Sequence, residues 1–197
     1  MSTNTKERIV DAGATLFRRQ GYTATGVKQI VTEAEAPFSS PYHFFPNGKD
    51  ELAAEIIRSS GLMFQQLVEF VFDSSPDILT GVQNCFAGAA ETLRQTNYAD
   101  ACPIATVALE VASTNEPLRK ATADVFESWI KSATARFTAA GIPGQTSREL
   151  AISLIGALEG AFLLSRAARS TEPMDIAGAT TTATVQAALI GSSSSGS

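Results

Sequence analysis

The stretch from Thr25 to Leu52, TGVKQIVTEAEAPFSSPYHFFPNGKDEL, decides how the rest of the chain is read. Val27, Ile30, Val31 and Ala34 form one apolar stripe at i, i+3, i+4 and i+7, a short amphipathic helix for which Thr25 is the expected N-cap. Pro37 disfavours helical geometry at Ala36, so a turn follows. Pro41 has no backbone N–H and fits only near a helix start. Ser39 or Ser40 is therefore the expected cap of a third helix running from about Pro41 to Phe45. Pro46, Asn47 and Gly48 break the chain again. Lys49 then opens a long helix whose first turn carries Asp50 and Glu51, as the helix dipole favours. A helix, a tight turn and a short outer helix suit the presentation of one helix to a DNA groove.

Upstream, Ile9, Ala12, Leu16 and Phe17 recur at helical spacing between Thr5 and Arg19, and Gly21 ends that helix. Three short helices can bury such stripes only against one another, which predicts a compact three-helix module over residues 1–48. Downstream, residues 49–190 read as a second all-helical domain. The helix from Lys49 to about Phe72 has apolar residues on two sides, Leu52, Ile56, Met63, Leu67 and Phe70 on one and Ile57, Phe64 and Val71 on another, and is expected to be mostly buried. Further helices are expected over 77–95, from Cys102 and Pro103 to about 112, over 116–140 with Ser113 or Thr114 as cap, over 147–169 and over 174–190. No segment alternates with period two, so no sheet is expected. Gly191 to Ser197, GSSSSGS, reads as a flexible tail.

The last two helices are rich in small residues, among them Ala151, Gly156, Gly160, Ala179, Ala183 and Ala187. Small side chains allow close helix crossings, either within one bundle or across a four-helix interface between two copies.

Composition bounds the function. The chain of 197 residues is 44% hydrophobic and 18% charged, which is globular. It contains no uninterrupted apolar run of about 18 residues and no signal-peptide pattern at its N-terminus, so no membrane association and a cytoplasmic location are expected. The net charge of −5 is uneven: residues 1–50 balance to about +1, so any contact with phosphate belongs to that part. Cys85 and Cys102 sit in apolar helical patterns. They read as two buried thiols, with a redox-sensing pair as the alternative. A single histidine and two scattered cysteines provide no metal-ligand spacing, and no cofactor motif stands out.

The segment from Lys6 to Leu52 resembles the DNA-binding domain of the tetracycline-repressor (TetR) family of bacterial regulators. The resemblance lies in Phe17-Arg-Arg-Gln-Gly-Tyr22, in the threonine opening the second helix, and in Tyr42-His-Phe-Phe45 followed by Lys49 and Leu52. The spacing Phe45-Pro-Asn-Gly-Lys49, with CPIATVALE at Cys102 to Glu110, is similar to a subgroup of small-molecule-responsive repressors like LmrA and YxaF.

The resemblance implies a helix-turn-helix head, a helical ligand-binding and dimerisation domain, and pairing through the last two helices. It implies that Tyr42 and His43 lie beside the DNA backbone, with Lys49 adding charge to the same region. Phe38, Ser39 and Ser40 would face base edges, and Thr25 and Lys28 the opposite wall of the groove. The sequence departs from the family pattern at Pro37 and Pro41, which bracket the base-reading residues.

The second domain holds more aromatic surface than a spacer requires. Phe64, Trp129 and Phe162, with Cys102 and Glu110 as polar members, are the expected lining of a pocket for a flat hydrophobic effector.

Two other classes fit the residues less well. An enzyme needs an acid–base or nucleophile pair, and the one histidine lies in the DNA-reading segment. A helical dimeric binding or interaction protein without DNA binding leaves the Tyr42 to Lys49 constellation without a purpose.

Overall fold

Asn4 starts the first helix with a reciprocal cap. Its side chain accepts from the Lys6 N–H, and the Glu7 carboxylate accepts from the Asn4 N–H. From that cap the computed structural model, which describes residues 4–194, is all-helical, with no strand among those residues. The helices are α1 Thr5–Gln20, α2 Val27–Glu33, α3 Ser40–Phe44, α4 Lys49–Asp73, α5 Ile78–Gln95, α6 Pro103–Val111, α7 Glu116–Ala139, α8 Gly144–Ala168 and α9 Glu172–Ser194. The all-helical expectation holds.

Several boundaries differ from the sequence reading, each for a local reason. The N-cap of α2 is Gly26, because Thr25 turns its hydroxyl inward. Asn115 rather than Ser113 or Thr114 caps α7, its side-chain oxygen accepting from the Leu118 N–H at 3.1 Å. Helix α8 begins at Gly144, directly after Pro143. Helix α9 continues through Gly191 to Ser194, residues expected in a flexible tail; residues 195–197 of that tail lie outside the described residues.

The chain divides into two compact units. One runs to Met63 and resumes over Ala101–Phe126; the other comprises Phe64–Asp100 and the chain from Glu127 onward. Helices α4 and α7 each begin in the first and end in the second.

In the first unit α1 packs against α2, α3 and α6. Ile9, Phe17, Ile30, Leu52 and Ile56 lose essentially all their accessible surface there. At about 2 kcal/mol for each such side chain, this core holds the module together. A Cβ at Gly13 would lie 2.2 Å from the Ile56 side chain, so a glycine is what lets α1 approach α4. The α1–α2 turn is also tied to the start of α4 and to α7. The Tyr22 hydroxyl donates to Asp50, the Asn115 amide donates to the other Asp50 oxygen at 2.8 Å, and the Lys49 ammonium donates to the Tyr22 carbonyl at 2.8 Å. The Lys49 ammonium also sits 4.0 Å from the Tyr22 ring centroid.

In the second unit α5, α8 and α9 pack around Phe72, Val82, Phe86, Leu93, Phe137 and Met174. Phe72 and Phe137 meet edge to face at 6.5 Å. A polar ladder joins the ends of α4 and α7: Ser128 donates to Gln65, Ser132 to Glu69, and Arg136 to Asp73 through two nitrogens. Arg166 of α8 donates to the carbonyls of Tyr98 and Ala99 and fixes the loop before α6.

The stripe expected to bury one side of α4 is buried only in its first half. Leu52 and Ile56 are covered, but Met63, Leu67 and Phe70 are exposed, Phe70 by 70%. They share a helical face, so the difference comes from the neighbours, which change along the helix. Among the described residues one helix, α8, is long and apolar enough to cross a membrane by length and composition.

Two measurements follow from this packing. Burial pushes the Cys85 thiol up to about 12, so at neutral pH it is not a thiolate. Cys85 is expected to resist alkylation in the native protein and to react on unfolding, with mass spectrometry as the readout; rapid native labelling would refute its burial. Hydrogen bonds from Tyr22 and Asn115 hold the Asp50 carboxyl below its ordinary range. A folded-state value below the unfolded one contributes stability that is complete above the ordinary value, about 4, and is lost as pH falls through the lowered value. Thermal melts should show Asp50→Ala losing stability at neutral pH, with the gap to the wild type starting to narrow only as pH falls below about 4.

Candidate nucleic-acid interface

The outer surface of the first unit is built around α3, a helix of 5 residues. Its position is set from below. Phe45, which ends it, is 97% removed from solvent, with Lys6 5.7 Å above its ring. Pro41, in the first turn where a missing N–H costs nothing, is also buried. These anchors leave the opposite side exposed. Phe38 is 61% and Tyr42 72% exposed, and Ser39 and His43 are exposed beside them. Phe38 lies in the turn before α3 and Tyr42 within it. Two large aromatic rings are thus exposed on the outer surface of the first unit.

The turn between α2 and α3 is closed without glycine. Glu35 takes φ 48°, and the Ala36 N–H donates back to the Val31 carbonyl at 3.1 Å. That left-handed residue satisfies the helix end in the manner of a C-terminal glycine. Pro37 then releases the chain, and the Ser40 N–H donates to the Pro37 carbonyl at 2.9 Å to start α3. Ser39 is the N-cap residue, makes no side-chain cap bond and is exposed like its neighbours Phe38 and Tyr42.

The candidate residues separate by placement. Phe38, Ser39, Tyr42 and His43 share the exposed face of α3 and the turn before it, with Ser40 partly covered; Lys28 is exposed on α2. Thr25 is fully buried, and its hydroxyl donates to the Gly21 carbonyl at 2.6 Å. It therefore shapes the turn, and its side chain has no surface to place against a groove wall. Lys49 is half-buried against Tyr22, and burial lowers its pKa while Asp50 and Glu110 pull it back up. Its charge is already engaged by the head.

The expected effector residues are divided between the two units. Phe64 and Trp129 meet in the second unit at 6.4 Å, and Phe162 packs against that unit's core. Cys102 and Glu110 belong to the first unit. Cys102 caps α6, with Ala105 N–H donating to its sulfur at 3.5 Å. The Glu110 carboxylate accepts from the Tyr22 and Thr23 N–H groups. Glu110 is thus used in building the head, and Cys102 in starting α6. Two open clefts on the first unit, about 450 and 350 Å³, are lined by charged and polar side chains such as Lys6, Glu7, Asp11 and Glu55, or Arg8, Asp11 and Glu33. Neither has the apolar lining of a hydrophobic-ligand site.

Sequence reasoning missed Asn115 and the tie between Glu110 and the turn. Asn115 was legible, since Asn-Glu-Pro is a helix-start pattern with asparagine as cap. The Glu110 contact joins residues 88 apart and leaves no local pattern.

Comparison with known proteins agrees with this geometry. Residues 9–56 match the model of bacterial regulatory proteins of the tetR family, and residues 79–180 match the C-terminal domain of LmrA/YxaF-like transcriptional regulators. The HTH-type transcriptional regulator YxaF of Bacillus subtilis is 33% identical over 171 residues, covering 87% of this chain and 90% of the relative. The HTH-type transcriptional regulator LmrA of the same organism is 28% identical over 87% of this chain and 91% of its own length. The fold matches the crystal structure of a TetR transcriptional regulator from Legionella pneumophila, with a TM-score of 0.82 at 22% identity over 93% of this chain and 99% of that one. The matched families and relatives are transcriptional regulators, not enzymes. The chain therefore belongs to the TetR family of transcriptional regulators, in its LmrA/YxaF-like branch, and carries that family's helix-turn-helix DNA-binding head.

Proposed function

We propose that this regulator is a cytoplasmic homodimeric repressor that reads a palindromic operator through α3 and releases it when a hydrophobic small molecule binds. The observation that carries the DNA-reading part is the face made by Phe38, Ser39, Tyr42 and His43, held outward by buried Pro41 and Phe45. In this reading Tyr42 donates its hydroxyl to a phosphate, Lys28 adds charge from α2, and Phe38 and Ser39 meet base edges with Ser40 beside them. Lys49 acts on the DNA mainly by holding Tyr22 and the turn in place.

Support for pairing comes from the outer sides of α8 and α9. Ile152, Gly156, Gly160 and Leu163 are exposed along one, and Ile176, Ala179, Ala183 and Ile190 along the other. A Cβ at Gly156 or Gly160 would meet nothing within 4 Å, so packing within the chain does not require their small size. A second copy approaching closely would. This reading also accounts for the apolar composition of α8, whose other side, with Leu150, Leu154 and Ala161, is in the bundle core. The domain division at residues 48 and 49 is retained as the functional one, DNA reading before it and effector response and pairing after it. Effector binding belongs to the second unit, beside Phe64, Trp129 and Phe162. Helix α4, continuous from the head into that unit, is the covalent path by which a ligand favouring one of two states alters DNA affinity.

Anisotropy titration of a duplex from the region upstream of the protein's own coding sequence tests the DNA reading. Binding is expected to weaken steeply with salt, Tyr42→Phe to lose roughly fivefold and Tyr42→Ala more, with the melt unchanged. Salt-insensitive binding, or an unaffected Tyr42→Ala, would exclude this interface. Pairing is tested by sedimentation: Gly160→Glu is expected to keep helix content and cooperative melting while shifting the particle from dimer to monomer. A wild type that sediments as a monomer at tens of micromolar, or a Gly160→Glu protein that stays dimeric, would remove α8 from the interface.

A further inference from the structure

Helix α6 supplies a carboxylate to a turn that precedes it by 88 residues. One Glu110 oxygen accepts from the Tyr22 N–H at 3.0 Å and the other from the Thr23 N–H at 2.6 Å. The carboxylate also covers Gly21, where a Cβ would lie 1.8 Å from Glu110 Oε1. Gly21 has φ 81° and ψ 179°, a backbone region essentially reserved for glycine. The absence of a side chain there thus serves both the backbone and the seat of the carboxylate.

Local preference does not explain Glu110. It lies in the last turn of α6, where the helix dipole disfavours an acid, and no basic residue accompanies it there. Its partners are backbone N–H groups of another element, and charge-assisted bonds to a carboxylate are about twice as strong as neutral ones. The turn it holds leads directly into α2, and α2 leads through the Glu35 turn to α3.

We propose that Glu110 is a positioning residue for DNA reading: it fixes the α1–α2 turn from α6, so that the pose of α2 and α3 depends on where α6 sits. This rests on the DNA-reading role of α3 proposed above. Only a carboxylate can accept both N–H groups with its two oxygens. Glutamine keeps one acceptor and turns an NH2 toward the second donor, and aspartate keeps the charge but is too short to span both.

The test uses the full chain with Glu110→Gln and Glu110→Asp beside the wild type and Tyr42→Ala. It reads amide hydrogen exchange at Tyr22 and Thr23, affinity for the upstream duplex, and the dependence of that affinity on salt. Each Glu110 variant is expected to lose protection at Tyr22 and Thr23 and to bind DNA about tenfold more weakly or worse, with the salt slope unchanged because no phosphate contact is removed. Tyr42→Ala should keep the amide protection and lose affinity. The inference is overturned if the wild type binds and Tyr42→Ala does not, yet Glu110→Gln binds within about twofold of wild type. If the wild type itself shows no salt-dependent binding, the DNA reading fails instead. Should both Glu110 variants lose cooperative melting, wild-type exchange decides: slow exchange at Tyr22 and Thr23 supports the clamp, and exchange as fast as in unstructured chain overturns it.

Discussion

The hydrogen bond from the Thr25 hydroxyl to the Gly21 carbonyl, 2.6 Å long and shut away from solvent, closes the turn on which the DNA head depends. Around it the groups of the turn are tied elsewhere in the first unit. Gln20 donates to the Ala24 carbonyl and to Thr25, Lys49 to the Tyr22 carbonyl, and the Tyr22 hydroxyl to Asp50. Because α2 issues from this turn, its direction relative to α1 is set by polar bonds as well as by the Phe17, Ile30 and Leu52 core. A helix of 5 residues such as α3 has too few internal bonds to hold itself. It keeps its shape because Pro41 and Phe45 are buried beneath it and the turn behind it is fixed.

The second unit follows a different logic. Its interior is aromatic and aliphatic, closed by Phe72, Phe86 and Phe137, while polar residues join the ends of α4 and α7 along one side. Gly81 and Gly178 belong to this interior: a Cβ at either would overlap Phe72 or Phe86. Gly156 and Gly160 do not, since open space lies around them. The same residue type therefore does opposite work within one unit, admitting a neighbour of the same chain at Gly81 and Gly178 and leaving a smooth surface at Gly156 and Gly160. Composition counts all four alike, and only the packing separates them.

Much of the helical order was legible in the residues. Gly21, Pro37, Pro41 and the Pro46-Asn47-Gly48 break punctuate the head where the helices in fact stop and start, because those residues act through their own backbone. Exposure of Phe38 and Tyr42 and burial of Phe45 also agree with the reading of the motif. Side-chain direction is less legible than backbone course. Thr25 looked like a cap, and capping depends on where a hydroxyl points; here it points back to Gly21. Glu110, expected as a polar member of a pocket, accepts from backbone N–H groups of the α1–α2 turn, and Cys102 caps α6.

What the sequence by itself determined is the all-helical course of the chain, the position of the short outer helix and the residues displayed on it. These follow from backbone restrictions and from hydrophobic period, which act over a few residues. Only the tertiary structure decided which half of the α4 stripe is covered, which glycines face open space, and that a carboxylate from α6 closes a turn 88 residues earlier. Such contacts join distant segments, and their partners are selected by how helices pack, which no local pattern encodes.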